Sequence, residues 1–324
     1  MNEWIGTGNI DQDPDNLPPT DKPLNDRHRR LDSRQYGLFV SDRIRFDEHW
    51  QTVLGGREVR LDEKAYDTSG DESRHTRQYV FLPQAALIYK PVENLSLYTS
   101  YSKGLSLGGQ APWFANNRFE TLAPTVSRQI EAGVKYDWRR ISFAAALFQT
   151  RQAYQYARPE GNDEFTYVQQ SQQKNTGLEV SANGWATSRL QIAASVAAIR
   201  ARVNDSGTRA YEGHQAINVP NLRASLYADY ALPWIDGLAL LGGVQYSASK
   251  YADRTGDVSA DGYAVVNVGS RYTTKVDGYE TVLRLSVDNL FDKRYWRDTG
   301  EYLGDDYLFQ GAPLTARLSA TVNF

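Results

Sequence analysis

The last thirteen residues, Ala312 to Phe324, alternate strictly between apolar and polar side chains, and this pattern constrains the fold more than any other feature. The apolar positions are Leu314, Ala316, Leu318, Ala320, Val322 and Phe324. Successive side chains of a β-strand point to opposite faces, so a period of two predicts a strand with one apolar and one polar face. The same period recurs in pairs of segments back through the chain.

These pairs of segments predict β-hairpins. The clearest one joins residues 264–272 to residues 280–289 through Asp277-Gly278, a dipeptide that strongly favours a tight hairpin turn. Further pairs are 222–230 with 238–246, 178–182 with 190–196, 130–138 with the strand from Ile141, 85–89 with 95–101, and 36–46 with the strand after Trp50. Gly55-Gly56 leaves the register of the first hairpin open. We count about thirteen strands of the length that spans a bilayer.

The links between the predicted strands alternate in length. Short turns fall near Asp47, Asn94, Arg139, Ala186, Asp236 and Asp277. Long polar links fall near Asp62–Thr76, Gly104–Pro124, Tyr154–Glu164, Val203–His214, Lys250–Asp261 and Lys293–Gly311. All short turns lie on the side of Phe324, which is typical of outer-membrane barrels with short periplasmic turns and long extracellular loops. The pattern predicts an all-β, transmembrane, antiparallel β-barrel in the outer membrane of a Gram-negative cell. Soluble propellers and sandwiches also alternate, but rarely with loops long on one side only.

The composition agrees with a barrel and excludes other classes. No segment approaches the roughly 18 apolar residues that a membrane helix needs. Hydrophobic residues make up 41% of the chain, which suits a barrel with a polar lumen and polar loops. The chain has 21 tyrosines and 7 tryptophans, residues that favour membrane interfaces. Trp50, Trp138, Trp185 and Trp234 stand at short turns and predict a periplasmic aromatic belt. The net charge of −3, without a basic block, gives no indication of nucleic-acid binding.

The N-terminal part differs from the rest. Residues 1–33 are rich in aspartate and proline and are expected to form an extracellular loop segment, whereas residues 34–324 form the barrel portion. The first residues lack the basic and apolar regions of a signal peptide. Bacterial single-chain barrels have an even number of strands, so a count of thirteen indicates either missed strands or a missing N-terminal part of the barrel.

Four segments resemble one protein family, the TonB-dependent outer-membrane siderophore receptors. The run Val287-Asp288-Asn289-Leu290-Phe291-Asp292-Lys293-Arg294-Tyr295-Trp296, followed about thirty residues later by the terminal Phe324, is similar to the C-terminal signature of these receptors. The segments Leu95–Gly104, Gln129–Tyr136 and Asn175–Val180 are similar to strands of the siderophore-receptor branch. The resemblance covers nearly the whole chain from about Arg34.

The resemblance implies a fold and a function. In that family a barrel of twenty-two strands surrounds an N-terminal plug. Ferric siderophore binds above the plug, and a periplasmic peptide, the TonB box, contacts the TonB complex. We therefore expect about thirteen of twenty-two strands here. The signal peptide, the TonB-contacting peptide, the plug and the early strands are expected to be missing, and the fragment is expected to be inactive alone. Expected partners are ferric siderophore, outer-membrane lipid, TonB in the intact receptor and the β-barrel assembly machinery.

Two sets of aromatic residues in the long links are candidates for ligand binding. In the first, Trp113 and Phe114 offer flat faces to an apolar or aromatic chelate, and Arg118 offers charge to an anionic one. An ordinary packed loop is the alternative. In the second, Tyr154, Tyr156 and Tyr167 either line the mouth of the barrel or belong to an aromatic girdle.

A further motif is assigned a structural role. Asn289, Leu290, Phe291 and Asp292 are expected to fix the end of a strand rather than bind ligand, and Phe324 to close the last strand. The four histidines lie far apart without a carboxylate at ligand spacing, so no metal site and no cofactor are expected. Iron would arrive already chelated by the siderophore.

The sequence leaves two alternative functions open. An outer-membrane barrel enzyme of the lipase or protease type needs a nucleophile beside a base, and none of the four histidines has an obvious partner in sequence. A passive porin would require barrel closure without a plug. We predict that the chain is not an enzyme.

Overall fold

A computed structural model describes residues 29–67, 69–162, 164–300 and 307–324. Its regular structure is almost entirely β. The strands are β1 (Leu31–Arg45), β2 (Trp50–Tyr66), β3 (Glu72–Val92), β4 (Leu95–Ser106), β5 (Thr125–Trp138), β6 (Ile141–Gly161), β7 (Glu164–Trp185), β8 (Leu190–Asn204), β9 (Leu222–Ala231), β10 (Leu238–Ser247), β11 (Lys250–Tyr251), β12 (Ser259–Ala260), β13 (Tyr263–Val276), β14 (Tyr279–Asp288), β15 (Trp296–Gly300), β16 (Tyr307–Gln310) and β17 (Thr315–Asn323). One 3₁₀ turn spans Arg209–Tyr211.

Most of the predicted loop segment 1–33 lies outside the described residues, so its assignment stays a prediction. Strand β1 already begins at Leu31, slightly before the predicted boundary. In the ranges that the structure describes, no helix has both the length and the apolar character needed to cross a membrane.

Thirteen of the strands form one antiparallel sheet in the order β1-β2-β3-β4-β5-β6-β7-β8-β9-β10-β13-β14-β17. Neighbours in sequence are neighbours in the sheet. The remaining four strands form two small hairpins, β11–β12 and β15–β16, within the long links. The predicted all-β antiparallel architecture and the count of thirteen are confirmed. Within the described residues the sheet does not close, because β1 pairs only with β2 and β17 only with β14.

The short turns have the backbone conformations that tight hairpins require. Between β13 and β14, Asp277 and Gly278 both have positive φ, at 51° and 85°. A type I′ turn needs positive φ at both central residues, which is why the dipeptide predicted this hairpin correctly. The turn between β5 and β6 consists of Arg139 and Arg140, with Arg139 at φ 55°.

The register of the first hairpin is now defined. Val40 lies opposite Gly56, and Ser41 lies opposite Gly55. A Cβ atom on Gly56 would lie 2.5 Å from the ring of Phe81 on β3. The glycine therefore leaves room for an aromatic ring to lie across the neighbouring strand.

Two of the six predicted long links are instead extensions of strands. Strand β2 runs on to Tyr66 and β3 starts at Glu72, and β6 runs on to Gly161 and β7 starts at Glu164. Above the bilayer the apolar alternation is no longer needed, but backbone pairing continues and polar side chains pair across it. Asp62 accepts hydrogen bonds from His75 at 2.8 Å and Arg77 at 3.0 Å. The prediction of loops in these two segments was wrong, because a polar sequence is also compatible with a strand above the bilayer.

The two faces of the sheet differ as the alternation predicts. The apolar side chains of Leu147 and Leu318 are 61% and 79% exposed on the outward face. On the opposite face of β5, Glu131 accepts hydrogen bonds from the Tyr98 hydroxyl at 2.5 Å and from Gln129 at 3.0 Å. An apolar outer face and a hydrogen-bonded inner face are the division expected of a membrane barrel wall.

The four tryptophans at the short-turn end are exposed. Two of them also carry an arginine over the ring, with Arg139 at 5.0 Å from Trp138 and Arg140 at 5.1 Å from Trp185. Rings that present one side to lipid and another to water suit a membrane interface.

Candidate ligand-binding site at the long-loop end

The link between β4 and β5, residues 107–124, folds into a compact loop. Gln110 and Thr121 form a β-bridge, and the amide of Leu122 donates to the carbonyl of Gly109 at 2.8 Å. A Cβ atom on Gly108 would lie 1.7 Å from the carbonyl oxygen of Leu122. Only glycine allows the two sides of the loop to approach this closely.

This loop is attached to the upper end of β7. The side-chain amide of Asn117 donates to the carbonyl of Tyr167 at 3.0 Å and accepts from the amide of Tyr167 at 2.9 Å. The amide of Asn116 donates to the carbonyl of Phe165 at 2.7 Å. Asn117 thus continues the backbone pairing of β7 with a side chain, and the loop is held against the barrel wall.

The candidate residues of this loop have different surroundings. Phe114 is half-buried and packs edge-to-face on Phe165, with ring centroids 5.8 Å apart. Trp113 packs on Phe114 at 6.0 Å and stays 43% exposed, and Arg118 is exposed. Phe114 therefore anchors the loop, whereas Trp113 and Arg118 present an aromatic face and a positive charge to the space around it.

Tyr154 and Tyr156 lie in a second place, a buried cluster on the face of β6 opposite Leu147. Their rings stack at 5.8 Å, and Tyr156 meets Tyr211 edge-to-face at 5.6 Å. Tyr156 is fully buried, and its hydroxyl donates to the carbonyl of Ser206. The apolar surroundings are Val168, Ile199, Ala201, Val203, Ala216 and Val219.

An arginine from the β10–β13 link completes this tyrosine–arginine cluster, which we define as Tyr154, Tyr156, Tyr211 and Arg254. The guanidinium of Arg254 lies 4.9 Å from the ring centroid of Tyr154 and 5.3 Å from that of Tyr156. It also donates a hydrogen bond to the hydroxyl of Tyr154. The negative faces of the two rings stabilise the buried guanidinium. The β10–β13 link is therefore held against the face of β6 that carries Tyr154 and Tyr156.

The backbone around Arg254 is shaped by its neighbour Asp253. The carboxylate of Asp253 accepts from the amides of Gly256 at 3.1 Å, Asp257 at 3.2 Å and Val258 at 3.0 Å. Burial opposes ionisation of this group. Hydrogen bonds from the Thr255 hydroxyl and from the amides outweigh that effect and hold the pKa of Asp253 below its ordinary value.

A carboxylate that accepts hydrogen bonds from backbone amides also shapes the β8–β9 link. Glu212 accepts from the amides of Ser206 and Asp205, both at 3.0 Å. The hydrogen bond from the Ser206 amide contributes most to a pKa of Glu212 below its usual range, although burial works against it. An ionised Glu212 closes this link into a fixed loop above Tyr156.

The links above β8, β10 and β14 are joined to one another. Lys250 donates to the carbonyl of Arg297 and lies 4.0 Å from the carboxylate of Asp298. The amide of Thr299 donates to Asn218 at 3.1 Å, and its hydroxyl donates to the carbonyl of Tyr251 at 3.1 Å. Burial lowers the pKa of Lys250, and Asp298 partly opposes that change. Three links therefore form one connected polar layer.

The six predicted ligand-binding residues thus fall into two groups. Trp113, Phe114 and Arg118 share one loop, to which Tyr167 is hydrogen-bonded through its backbone. Tyr154 and Tyr156 pack within the tyrosine–arginine cluster instead. Sequence reasoning missed Arg254 and Tyr211, because nothing in the local sequence links them to strand β6. The assignment of the six predicted residues to ligand binding stays a prediction.

The Asn289–Asp292 motif connects the upper ends of β14 and β17. The side chain of Asn289 donates to the carbonyls of Lys293 at 2.9 Å and Ala312 at 3.0 Å. Asp292 accepts from the amide of Leu314 at 2.9 Å. Asn289 and Asp292 both have positive φ, a conformation that asparagine and aspartate tolerate best among non-glycine residues. At the other end of β17, the ring of Phe324 meets Tyr279 at 5.7 Å.

In the described part of the chain, no group of three or more histidine, aspartate or glutamate residues is arranged to hold a metal ion. The polar groups of the mouth are instead engaged with one another. The aromatic faces, hydrogen-bonding groups and arginines at the long-loop end can bind a ligand by non-covalent contacts.

An open-ended antiparallel meander with an apolar outer face and folded links at one end defines the class of outer-membrane barrel proteins. A family model described as TonB dependent receptor-like, beta-barrel matches residues 2–290. The chain belongs to this family, and the resemblance seen in the sequence is confirmed.

Individual relatives are similar at low identity over most of the chain. The ferrichrome receptor FcuA of Yersinia enterocolitica is 26% identical over 298 residues, which are 90% of this chain and 39% of the relative. The ferrioxamine B receptor of Salmonella typhimurium is 27% identical over 267 residues, 81% of this chain and 37% of the relative. The chain therefore spans about two fifths of the length of the relatives that it matches.

A solved structure extends the likeness to the fold. The ferric preacinetobactin receptor BauA of Acinetobacter baumannii superimposes with a TM-score of 0.72 at 28% identity. The match covers 91% of this chain and 43% of that protein. The names of these relatives are those of receptors, so the prediction that the chain is not an enzyme is confirmed at the level of the family.

Proposed function

We propose that this chain is the barrel portion of a TonB-dependent ferric-siderophore uptake receptor of the outer membrane. The observation that carries the proposal is membership of the receptor family together with relatives named for ferrichrome, ferrioxamine B and ferric preacinetobactin. The work of such a protein is binding and gated passage. Iron would travel inside its siderophore, without protein ligands.

The long-loop end is the proposed place of ligand binding. Trp113 would stack on an apolar or aromatic part of the chelate, and Arg118 would attract an anionic one. Because Asn117 fixes the loop to β7, these two side chains would meet a ligand without much ordering cost. The tyrosine–arginine cluster would act by positioning the links above the mouth.

Further partners follow from this assignment. A receptor of this class draws energy from the TonB complex through its contact peptide. Its barrel would be folded into the membrane by the β-barrel assembly machinery and surrounded by outer-membrane lipid. Residues 1–33 would be an extracellular loop segment of such a receptor, and residues 34–324 its barrel portion.

Ligand binding is tested by tryptophan fluorescence. A full-length homologous receptor, in which residues 34–324 of this chain replace the matching barrel portion, is titrated in detergent micelles with ferrichrome, ferrioxamine B and a ferric catecholate, each also in its iron-free form. We expect saturable quenching by one ferric chelate and at least about tenfold weaker binding of the iron-free form. Quenching by none of the ferric chelates would count against the proposal.

A matched pair of variants locates the site. Trp113→Phe should remove most of the ligand-dependent quenching, because Trp113 is an exposed ring of the loop that also carries Arg118. Trp234→Phe is the control, since Trp234 is exposed at the short-turn end. Equal loss of quenching in both variants would exclude the loop as the site.

A further inference from the structure

The β4–β5 loop contacts the wall at a second place, on the other side of the β4–β5 pair in the sheet. Arg74 of β3 donates a hydrogen bond from Nε to the carbonyl of Thr121 at 2.8 Å. Thr121 is buried and forms the β-bridge with Gln110. The loop is therefore held by β3 at Thr121 and by β7 at Asn116 and Asn117.

Arg74 is fixed in turn by Glu63 on the neighbouring strand β2. One terminal nitrogen of its guanidinium donates to Oε1 of Glu63 at 2.5 Å, and the other donates to the hydroxyl of Thr76. With Nε bonded to Thr121, each of the three guanidinium nitrogens has an acceptor. The planar guanidinium is thereby held in one orientation. We define the pair of Glu63 and Arg74 as the brace.

Glu63 lies in surroundings that disfavour a charge. It is fully buried between Leu61 and Ala65 on the inward face of β2, and both of those side chains are buried as well. Its second oxygen, Oε2, accepts no hydrogen bond from the residues that the structure describes. A buried charge with an unsatisfied oxygen costs free energy that a pair of apolar side chains would avoid. The stability of the barrel therefore does not explain Glu63, whereas the orientation of Arg74 does.

The stretch between the two attachments carries Arg118, the predicted contact for an anionic chelate. Arg118 directly follows Asn117, which is fixed to Tyr167, and precedes Thr121 by three residues. Its own amide donates to the carbonyl of Ala115 at 2.9 Å. Because both ends of this stretch are anchored, the position of Arg118 depends on the brace as well as on β7.

We propose that Glu63 and Arg74 are positioning residues for the ligand-binding loop. Glu63 orients Arg74, and Arg74 holds the loop at Thr121. Trp113 and Arg118 then meet a chelate in one arrangement, and the brace acts through the loop rather than by contact with the chelate. Loss of the brace raises the ordering cost of binding, because the ligand must then fix the loop itself. This inference rests on the proposed siderophore-binding function.

The brace is tested in the full-length homologous receptor that carries residues 34–324 of this chain. Glu63→Met and Arg74→Met together leave no buried charge without a partner, so the midpoint of thermal unfolding should fall by no more than about 3 °C. Proteolysis within residues 107–124 should become roughly tenfold faster. The Kd should rise at least about fivefold for whichever of ferrichrome, ferrioxamine B and the ferric catecholate the unmodified chimera binds.

The matched control removes an ion pair from the other face of the same hairpin. Lys64 and Glu72 pair at 2.7 Å and are both partly exposed. Lys64→Met with Glu72→Met therefore removes the same two charges away from the loop, and cleavage and Kd should stay within about twofold of the unmodified chimera. Equal changes in the two double variants would overturn the inference.

Glu63→Gln alone separates orientation from charge. Glutamine keeps an oxygen that accepts from Arg74, so cleavage and Kd should lie closer to the unmodified chimera than to the brace double variant. The inference is overturned if Glu63→Gln behaves like that double variant. It is also overturned if the double variant shows unchanged cleavage, or faster cleavage with an unchanged Kd. If the unmodified chimera binds none of the three chelates, the proposed function fails, and cleavage alone decides whether the brace holds the loop.

Discussion

At the scale of single residues, the links at the long-loop end are shaped by polar side chains that replace backbone partners. Asn117 pairs with both backbone groups of Tyr167, and Asp253 gathers the amides of Gly256, Asp257 and Val258. Short side chains of this kind satisfy amides that a strand or helix would otherwise satisfy. Each such residue is therefore a point at which one substitution loosens a whole loop.

Asn117→Ala should release the β4–β5 loop from β7. Two hydrogen bonds to Tyr167 are lost and its backbone groups are left without these partners, which costs about 1–3 kcal/mol. Limited proteolysis should then cut residues 107–124 roughly tenfold faster. Asn116→Ala is the control, because alanine keeps the amide that donates to Phe165. Equal cleavage of both variants would contradict the role of the Asn117 side chain.

The pKa of Asp253 gives the β10–β13 link a dependence on pH. Its folded-state pKa lies below the ordinary value of 3.8, so the ionised group stabilises the loop above about pH 4. That stabilisation is lost as the pH falls through the folded-state pKa. Hydrogen exchange of the Gly256–Val258 amides, corrected for intrinsic rates, should speed up below about pH 4.

Asp253→Asn serves as the comparison for this pH effect. Asparagine can accept hydrogen bonds but does not ionise in this range, so the step below about pH 4 should disappear. A step of the same size in the variant would mean that another carboxylate, such as Glu212, controls the link.

At the scale of elements, strands that continue above the bilayer form a base on which the links pack. Strands β6, β7 and β8 carry Tyr154, Tyr156, Val168 and Ala201 on one face, and links from β8 and β10 cover them. Successive side chains of a strand point to opposite faces, which places these residues on one side. The pairing of Arg254 with Tyr154 joins residues one hundred positions apart and depends on how the sheet curves.

A double-mutant cycle should detect this pairing. Tyr154→Phe and Arg254→Met each remove the hydrogen bond between the two side chains, so their effects on the free energy of unfolding should not add. We expect a coupling energy of about 1–2 kcal/mol, measured by urea unfolding in micelles.

The control for the cycle combines Tyr154→Phe with Arg77→Met, since Arg77 pairs with Asp62 in a different hairpin. Its coupling should lie within about 0.5 kcal/mol of zero. Coupling of equal size in both cycles would indicate a general effect of charge removal rather than a contact.

At the scale of the whole molecule, the described sheet has two edges. Strand β1 exposes the side away from β2, and β17 exposes the side away from β14. Backbone groups without partners cost several kcal/mol each in hydrocarbon, so an edge is strongly unfavourable inside a bilayer. We therefore expect closure of the barrel to involve further strands or another chain.

The chain expressed alone should therefore not show the heat-dependent gel shift of a closed barrel. The measurement compares boiled and unboiled samples of outer membranes on a denaturing gel, with the ferrichrome receptor FcuA as a positive control. A faster-migrating unboiled band at the size of one chain would show that the thirteen strands close by themselves.

The sequence by itself determined the strands, their faces, the short turns and the antiparallel order, because these depend on local alternation and on residues such as Asp277 and Gly278. The sequence also indicated the family through four short motifs, three of which lie within single strands. The prediction of loops was wrong for residues 62–66, 72–76 and 154–161, because polar strands above the bilayer lose the alternation that marks a strand.

Only the tertiary structure decided which residues of different links meet. Trp113 stays exposed whereas Phe114 is anchored on Phe165, and Tyr156 is buried beneath Arg254. These contacts are set by strand pairing and by the packing of links, and neither leaves a periodic signal in the sequence.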